Sequence, residues 1–410
     1  MLGVWLATRT VFVLICAKVV KAPVGNVFAD VALYRRWSDV LLGWQIPRDD
    51  PMWQYPPGAA ALFRALRHVA GDSVGSYEVT FFTLALVADL LVLLTLLRLA
   101  RGDGLLLGVW AWAVVVPLLN LLTYARYDIF VTALAVVALA ATLRRPAVAG
   151  AALGIGALIK VWPAVLLISA RPFGGLRPVL AGFAVTFAVL GSALTLAFTG
   201  AWSGFTGNQA DRGLQIESVG ATPLVLARLG DHTIDVRYVY GAMEFVDDPF
   251  VRPVTIGLPV LTMLGLSALG LWWLVRGRRV TWTGTVGFDV ALLAVLTTVV
   301  TSRVFSPQYM LWLVGVAAVC LTRRDTTQRV ASALIMVATA LTSALFPWYY
   351  AQVSTDPDWP GTALLVVRNA LVVTALGIGL HALARSTAST RPDAAVVGAD
   401  DALPRPAAAD

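Results

Sequence analysis

Long apolar stretches, separated by short polar segments, run along most of the chain. The clearest ones carry no charged residue: Leu105–Ala125, Val179–Ala210, Val254–Val275, Val304–Thr322 and Val330–Thr355. A stretch of about 18 or more apolar residues is long enough for a helix to cross a bilayer. The pattern therefore predicts an all-α polytopic membrane protein.

Composition strengthens this prediction. Of 410 residues, 58% are hydrophobic and 13% are charged, whereas soluble domains average about 25% charged. The net charge of +7 lies in scattered short loops, so it indicates membrane orientation and gives no reason to expect nucleic-acid binding. Cys16 and Cys320 lie inside apolar runs without neighbouring ligands, and we expect them to be packed core thiols.

The loops differ in charge, and this difference predicts the topology. Five short loops are rich in arginine: Arg98–Gly104, Arg144–Pro146, Arg171–Pro178, Arg276–Arg279 and Arg323–Arg329. The positive-inside rule assigns such loops to the cytoplasm. The long connections, residues 21–77 and 200–253, and the shorter Pro347–Gly361 should then be external.

The segment between the arginine loops Arg144–Pro146 and Arg171–Pro178 is too short for two full membrane crossings. A single full crossing would place the second arginine loop on the external side, against the positive-inside rule. Because the segment contains several glycines, then Lys160 and Pro163, we interpret Ala147–Leu158 and Ile159–Ala170 as two half-crossings of a helix broken near Lys160. This gives twelve membrane segments in one domain, residues 1–384, with both termini on the cytoplasmic side of the plasma membrane. Residues 385–410, rich in Ala, Pro and Asp, should be a disordered cytoplasmic tail.

The first external loop contains an amphipathic segment. Apolar residues recur at helical spacing from Val31 to Trp44, with Arg35, Arg36 and Asp39 between them. Such a helix is expected to lie in the plane of the lipid headgroups.

Several polar residues could carry chemistry, and each also has a simpler interpretation. Asp30 could be a base or the N-cap of the amphipathic helix, and Lys160 could bind substrate or extend to the interface. Arg126 and Asp128 could form a local ion pair, while Arg303 could neutralise a lipid phosphate. Residues 211–218 could be a surface turn followed by an amphipathic helix.

An ordered series of motifs resembles glycosyltransferase family 87, a GT-C-type group that contains polyprenol-phosphate-mannose-dependent α-1,2-mannosyltransferases of actinobacteria. The series is Asp30…Tyr34, Gly43…Pro47, Tyr55-Pro56-Pro57-Gly58, Arg126-Tyr127-Asp128, Lys160-Val161-Trp162-Pro163, Arg212–Ser218 and Ser306-Pro307-Gln308-Tyr309. The resemblance implies an active site beneath the first external loop, with Asp30 as catalytic base. Family members that act on phosphatidylinositol mannosides tend to carry a His pair after the Ser-Pro turn. Here Gln308-Tyr309-Met310-Leu311 follows, so the acceptor and the sugar stay open.

The predicted function is transfer of a hexose, foremost mannose, with inversion. The donor would be a polyprenyl-phosphate sugar, the acceptor a lipid-linked or cell-envelope glycan, and the partners these two substrates and membrane lipids. One carboxylate suffices as base, and cations would stabilise the departing phosphate, so we expect neither a cofactor nor a metal. The predicted substrate contacts are Tyr34, Tyr55, Arg126, Asp128, Lys160, Arg212, Gln215, Glu217, Arg303, Gln308 and Tyr309. The alternative function is a lipid or glycolipid flippase, because transporters also contain buried charges and broken helices.

Overall fold

The structure is a computed structural model that describes residues 1–17, 19–20, 28–102, 104–171, 175–210, 212–231, 233–246, 249–276 and 284–388. The start of the first predicted external loop, residues 21–27, and the predicted tail from residue 389 onward lie outside this part. The α-helices are α1 (Leu2–Cys16), α2 (Ala29–Leu42), α3 (Pro57–Ala70), α4 (Val74–Leu99), α5 (Leu107–Val115), α6 (Leu122–Ala125), α7 (Asp128–Ala141), α8 (Pro146–Ile159), α9 (Leu176–Ala197), α10 (Ser203–Ala210), α11 (Thr222–Ala227), α12 (Val251–Arg276), α13 (Thr285–Val300), α14 (Tyr309–Leu321), α15 (Arg329–Ala344), α16 (Ala351–Ser354) and α17 (Trp359–Ala388).

The helices fit an integral membrane protein. Five described helical segments are long and apolar enough to cross a bilayer: Val74–Leu99, Leu176–Ala197, Val251–Arg276, Arg329–Tyr349 and Trp359–Ser386. Shorter apolar helices, α1, α7, α8, α13, α14 and the segment Leu107–Leu119, pack among them. This agrees with the predicted helical membrane class, while the count of twelve segments stays a prediction.

Two predicted stretches are divided in the structure. The first, Leu105–Ala125, becomes α5, a 3-10 segment at Val116–Leu119 and α6, because Pro117 cannot donate a backbone hydrogen bond. The second, Val179–Ala210, ends as a helix at Ala197. Gly200 then adopts a φ of 74°, a conformation that favours glycine.

The helix predicted to break near Lys160 ends there. Helix α8 stops at Ile159, Lys160 is extended with φ −155° and ψ 129°, and a 3-10 segment follows at Trp162–Ser169. Pro163 cannot supply an N–H to a continued α-helix, which accounts for the change of geometry. The break leaves the Lys160 side chain beside the ends of several helices.

A three-stranded antiparallel sheet adds to the all-α architecture. Its strands are β1 (Leu214–Gln215), β2 (Val236–Val239) and β3 (Ala242–Phe245), in the order β1-β3-β2. Tyr240 and Gly241 join β2 to β3 with φ values of 52° and 76°, as a tight two-residue hairpin requires. For the described residues 212–218, the alternative of a surface turn followed by an amphipathic helix is therefore wrong, because the β1 side chains are buried; residue 211 lies outside the described residues.

The amphipathic segment forms α2, and its apolar face packs into the protein. Val31, Leu33, Tyr34, Trp37 and Leu41 are buried there, so this face contacts the protein core and not the lipid headgroups. Helix α3 lies against both α2 and α8. Together α2 and α3 cover the side of the molecule on which α8 ends.

Gly58 permits the close approach of α3 to α8. A Cβ atom at this position would lie 2.5 Å from the backbone carbonyl carbon and oxygen of Leu158, so no side chain fits without moving one helix. Pro56 and Pro57 fix the start of α3 immediately before it. The Tyr-Pro-Pro-Gly motif thus sets α3 against the last turn of α8, two residues before Lys160.

Candidate active site

A cavity of about 520 Å³ lies where these segments meet. Its polar wall comes from the start of α2, the segments before α3 and α7, the break after α8, α10 and the turn before α14. Three of these six segments, the start of α2, the segment before α3 and α10, belong to the predicted external connections. Three acid–base pairs lie at this wall, and each joins residues that are distant in sequence.

The first pair is Asp30 with Arg126. An Arg126 guanidinium nitrogen donates to Asp30 Oδ1 at 2.6 Å, and the two side chains are 23% and 20% exposed for Asp30 and Arg126. Phe28 occupies the N-cap position of α2 and Asp30 lies within its first turn, so the N-cap interpretation of Asp30 is wrong. Burial raises the pKa of Asp30, the Arg126 charge lowers it and the Asp128 charge raises it, with a net rise above the ordinary value. A raised pKa makes the ionised carboxylate a stronger base.

The second pair is Lys160 with Asp128. Lys160 Nζ lies 2.8 Å from Asp128 Oδ1, and the side chains are 17% and 1% exposed for Lys160 and Asp128. Asp128 Oδ1 also accepts from Trp312 Nε1 at 2.7 Å. Neither a local Arg126–Asp128 pair nor a Lys160 extended to the interface agrees with these contacts, because each residue pairs within the cavity wall.

Aromatic rings surround the Lys160 ammonium group. Nζ lies 4.8 Å from the ring centre of Tyr127, 5.3 Å from that of Tyr309 and 4.9 Å from that of Trp312. The Trp312 ring stacks between Tyr309, at 3.8 Å, and Trp162, at 5.0 Å. Cation–π attraction and the carboxylate together stabilise a charge at this depth.

The third pair is Arg212 with Glu244. Arg212 Nε donates to Glu244 Oε1 at 2.7 Å and its NH1 donates to Gln54 Oε1 at 2.8 Å. Arg303 lies behind Arg212 and donates to the backbone carbonyls of Arg212 and Gln209. Its guanidinium thus holds the segment between α10 and β1, which does not agree with a simple contact to lipid phosphate.

One part of the cavity lining, the apolar branch, is mainly apolar, although Thr262 of α12 and Thr298 of α13 also line the cavity. This branch is lined by Val161 and Val165 after the helix break, by Met263 and Leu266 of α12, and by Val299 of α13. Val161 is 50% exposed and Met263 67% exposed, so this branch reaches the surface of the helix bundle. Only 11% of the most apolar part of α12 is buried within the protein, so the apolar branch faces the region expected to hold lipid.

Most of the predicted site residues meet in this cavity. Those on its wall are Asp30, Tyr34, Tyr55, Arg126, Asp128, Lys160, Arg212, Gln308 and Tyr309. Gln215, Glu217 and Arg303 do not line it. Gln215 and Arg303 bond to the wall residues Ser306 and Arg212 from behind, and Glu217 bonds to Gln215 and Arg368. Their positions therefore do not support the prediction that these three contact substrate.

Sequence reasoning missed several residues of the site. Gln54 and Trp312 both line the cavity and bond to charged residues there, and Glu244 neutralises Arg212 from β3. Gln54 directly precedes the Tyr-Pro-Pro-Gly motif, and Trp312 lies one helical turn after the Ser-Pro-Gln-Tyr motif. Their closeness to these motifs could have indicated that both belong to the site. Glu244 had none, because its sheet was not predicted.

The described residues contain no group of three or more His, Cys, Asp or Glu side chains that could hold a metal ion. Metal independence stays a prediction. The cations of the cavity wall are the side chains of Arg126, Lys160 and Arg212.

Comparison with known proteins adds one positive finding. A search of curated proteins gives no match. Residues 53–246 match the model of Glycosyltransferase family 87. The matched stretch includes Arg126, Asp128, Lys160 and Arg212 but not Asp30 or Tyr309. The match supports the predicted similarity to glycosyltransferase family 87 and indicates a membrane glycosyltransferase.

Proposed function

We propose that the protein transfers a hexose, foremost mannose, from a polyprenyl-phosphate sugar to a lipid-linked or cell-envelope glycan. Transfer takes place on the external face of the plasma membrane and inverts the anomeric centre. The observation that carries this proposal is one cavity that combines a carboxylate, two non-local cations and an apolar branch.

The reaction is a single displacement at the anomeric carbon. The acceptor hydroxyl oxygen forms a bond to this carbon while the bond from the carbon to the phosphate oxygen breaks. The bonding electrons leave with the phosphate, and Asp30 takes the hydroxyl proton. Attack from the face opposite to the leaving group inverts the configuration.

The cations suit the departing phosphate. Arg126 and Lys160 line the same cavity as Asp30, and fixed charges stabilise developing negative charge best in a site with little water. The aromatic surroundings of Lys160 provide such a site. The apolar branch between the 3-10 segment and α12 has the chemistry to hold an isoprenoid chain, which favours a lipid-linked donor over a nucleotide sugar.

The donor experiment tests this function directly. Purified protein in detergent is incubated with radiolabelled polyprenyl-phosphate-mannose or a nucleotide-linked mannose, and with membrane glycolipid extract as acceptor. Transfer is expected from the lipid donor alone. Use of the nucleotide sugar alone would contradict the proposed chemistry, and movement of lipid across vesicle membranes without a new glycosidic bond would favour the flippase.

A variant pair then tests the base. Asp30→Asn keeps the size of the side chain but cannot take the proton, so turnover should fall by about 100-fold or more while donor binding persists. Asp49→Asn is the control, because the Asp49 side chain is 97% exposed and lies outside the cavity lining. Wild-type turnover in Asp30→Asn would place the base elsewhere.

A further inference from the structure

A buried polar cluster lies directly behind the cavity wall. Glu217, Arg368 and Asn369 are 1%, 0% and 2% exposed. An Arg368 nitrogen donates to the Glu217 backbone carbonyl at 2.9 Å and another contact of 3.9 Å reaches its carboxylate. Buried charges are costly to desolvate, and the proposed displacement uses neither of these two.

Gln215 joins this cluster to the cavity. Its Nε2 donates to Glu217 Oε2 at 3.1 Å and contacts Ser306 Oγ at 3.2 Å. Its Oε1 accepts from the Phe305 backbone N–H at 2.8 Å and from the Ser306 hydroxyl at 3.3 Å. Ser306 itself lines the cavity. The oxygen and the nitrogen of the Gln215 amide therefore both hold the segment that carries Ser306.

The Glu217 carboxylate determines which way this amide faces. Burial raises the pKa of Glu217 to about 7 and Arg368 opposes the rise, so well above that pH the side chain only accepts hydrogen bonds. Nε2 of Gln215 must then face Glu217, and Oε1 must face the Phe305 N–H. If the Gln215 amide were reversed, its oxygen would face the Glu217 carboxylate and its NH₂ group would face the Phe305 N–H, and neither contact would be a hydrogen bond.

A second contact holds the same segment from another side. The Arg368 guanidinium lies 4.0 Å above the centre of the Phe305 ring. Arg368 belongs to α17, whereas Gln215 belongs to β1. The Phe305–Ser306 segment is therefore fixed between the sheet and the last described helix.

We propose that Glu217 is a positioning residue that, through Gln215, fixes the Ser306 hydroxyl at the wall of the reaction cavity. This role rests on the proposed glycosyl transfer, because its effect is to hold the wall in the shape that binds the reacting groups. Misplacement of about 1 Å in such a wall can reduce the rate by about 100-fold.

An exchange of donor and acceptor tests this role. Gln215→Glu places two carboxyl groups face to face. At a pH high enough to ionise both groups they repel each other, so kcat measured there should fall by about 100-fold. The double variant Gln215→Glu/Glu217→Gln restores one amide and one carboxylate with their places exchanged, and the introduced carboxylate still accepts from the Phe305 N–H. Turnover of the double variant should return to within a few-fold of wild type. Gln352→Glu, which alters an amide whose oxygen accepts from the Gly361 backbone N–H at 3.0 Å, is the control.

Two further measurements separate positioning from a purely structural role. Ser306→Ala should lower kcat in the wild-type background but add little to Gln215→Glu, because both changes disturb the same hydroxyl. Hydrogen exchange at the Phe305 amide, followed by mass spectrometry, should accelerate in Gln215→Glu and slow again in the double variant.

The outcomes are distinct. A double variant that unfolds at the wild-type temperature yet stays as slow as Gln215→Glu would overturn the role of Glu217, and so would wild-type turnover in Gln215→Glu. Wild-type protein without any transfer would overturn the proposed function instead. Hydrogen exchange would then still decide whether Glu217 and Gln215 fix the segment.

Discussion

Replacement of Lys160 by methionine tests the cation at the helix break, and the structure changes what the experiment should show. From the sequence alone, Lys160→Met removes an isolated buried charge and should be harmless to folding. In the structure, Lys160 is the partner of an Asp128 side chain that is 1% exposed. The substitution therefore leaves a buried carboxylate without its cation.

The size of the effect follows from this pairing. Breaking a buried ion pair by removing one partner costs about 3–5 kcal/mol, a large part of a typical stability of about 5–15 kcal/mol. The double variant Lys160→Met/Asp128→Asn removes both charges, so most of this loss should be recovered. If Lys160 stabilises the departing phosphate, both variants should still lose about 2–4 kcal/mol of transition-state stabilisation, or roughly 30- to 1,000-fold in rate.

The assay combines turnover with thermal unfolding in detergent. Initial rates are measured with the lipid donor, and only the folded fraction is counted. Arg9→Met/Asp89→Asn is the matched control, because Arg9 and Asp89 form a buried pair at 2.7 Å that lies outside the cavity lining. It should change the unfolding temperature and leave turnover of folded protein within a few-fold. Near-normal turnover in a stable Lys160→Met/Asp128→Asn variant would refute the phosphate role.

Three other predictions concern the base, a helix contact and the topology. The value of kcat/KM should decline with falling pH, with its midpoint above the ordinary aspartate pKa of about 3.9, because burial raises the pKa of Asp30. A midpoint at or below the ordinary value would contradict this prediction. Gly58→Ala should lower the free energy of unfolding by about 1–3 kcal/mol and reduce turnover, because the added Cβ would lie 2.5 Å from the α8 backbone. The control Gly257→Ala should change neither quantity, because a Cβ at Gly257 would meet open space. A reporter active only outside the cytoplasm should be active when fused within residues 200–253 and silent after Leu383, and an active fusion after Leu383 would overturn the two half-crossings.

The sequence was most informative where a feature depends on local composition. Apolar stretches without charge indicated the membrane class, and glycines followed by Lys160 and Pro163 indicated the break at the end of α8. Asp30 lies in a connection assigned to the external side, and Arg126 follows an apolar stretch that begins at the cytoplasmic loop Arg98–Gly104. Both residues could therefore be expected on one side of the membrane. The assignment of sides depends on charge alone and needs no knowledge of helix packing.

Pairings between distant residues could not be predicted in this way. A local ion pair with its neighbour Arg126 was one interpretation of Asp128, yet Asp128 contacts Lys160, because α7 begins beside the end of α8. Gln215 ends a strand of only two residues, and Glu217 lies in the turn that follows it. This stretch is too short for an alternating pattern to show which side chains face inward. Their place behind the wall depends on α17, about 150 residues later in the chain.

Arg126 also constrains the order of events at the cavity. While it donates to Asp30 at 2.6 Å, it stabilises the carboxylate anion and makes Asp30 a weaker base than it would otherwise be. A donor phosphate that attracts the guanidinium weakens this bond, so proton affinity at Asp30 should increase once the donor has bound. The base would then be least reactive in the empty protein and most reactive in the donor complex, which favours a compulsory order in which the lipid donor enters before the acceptor hydroxyl is activated.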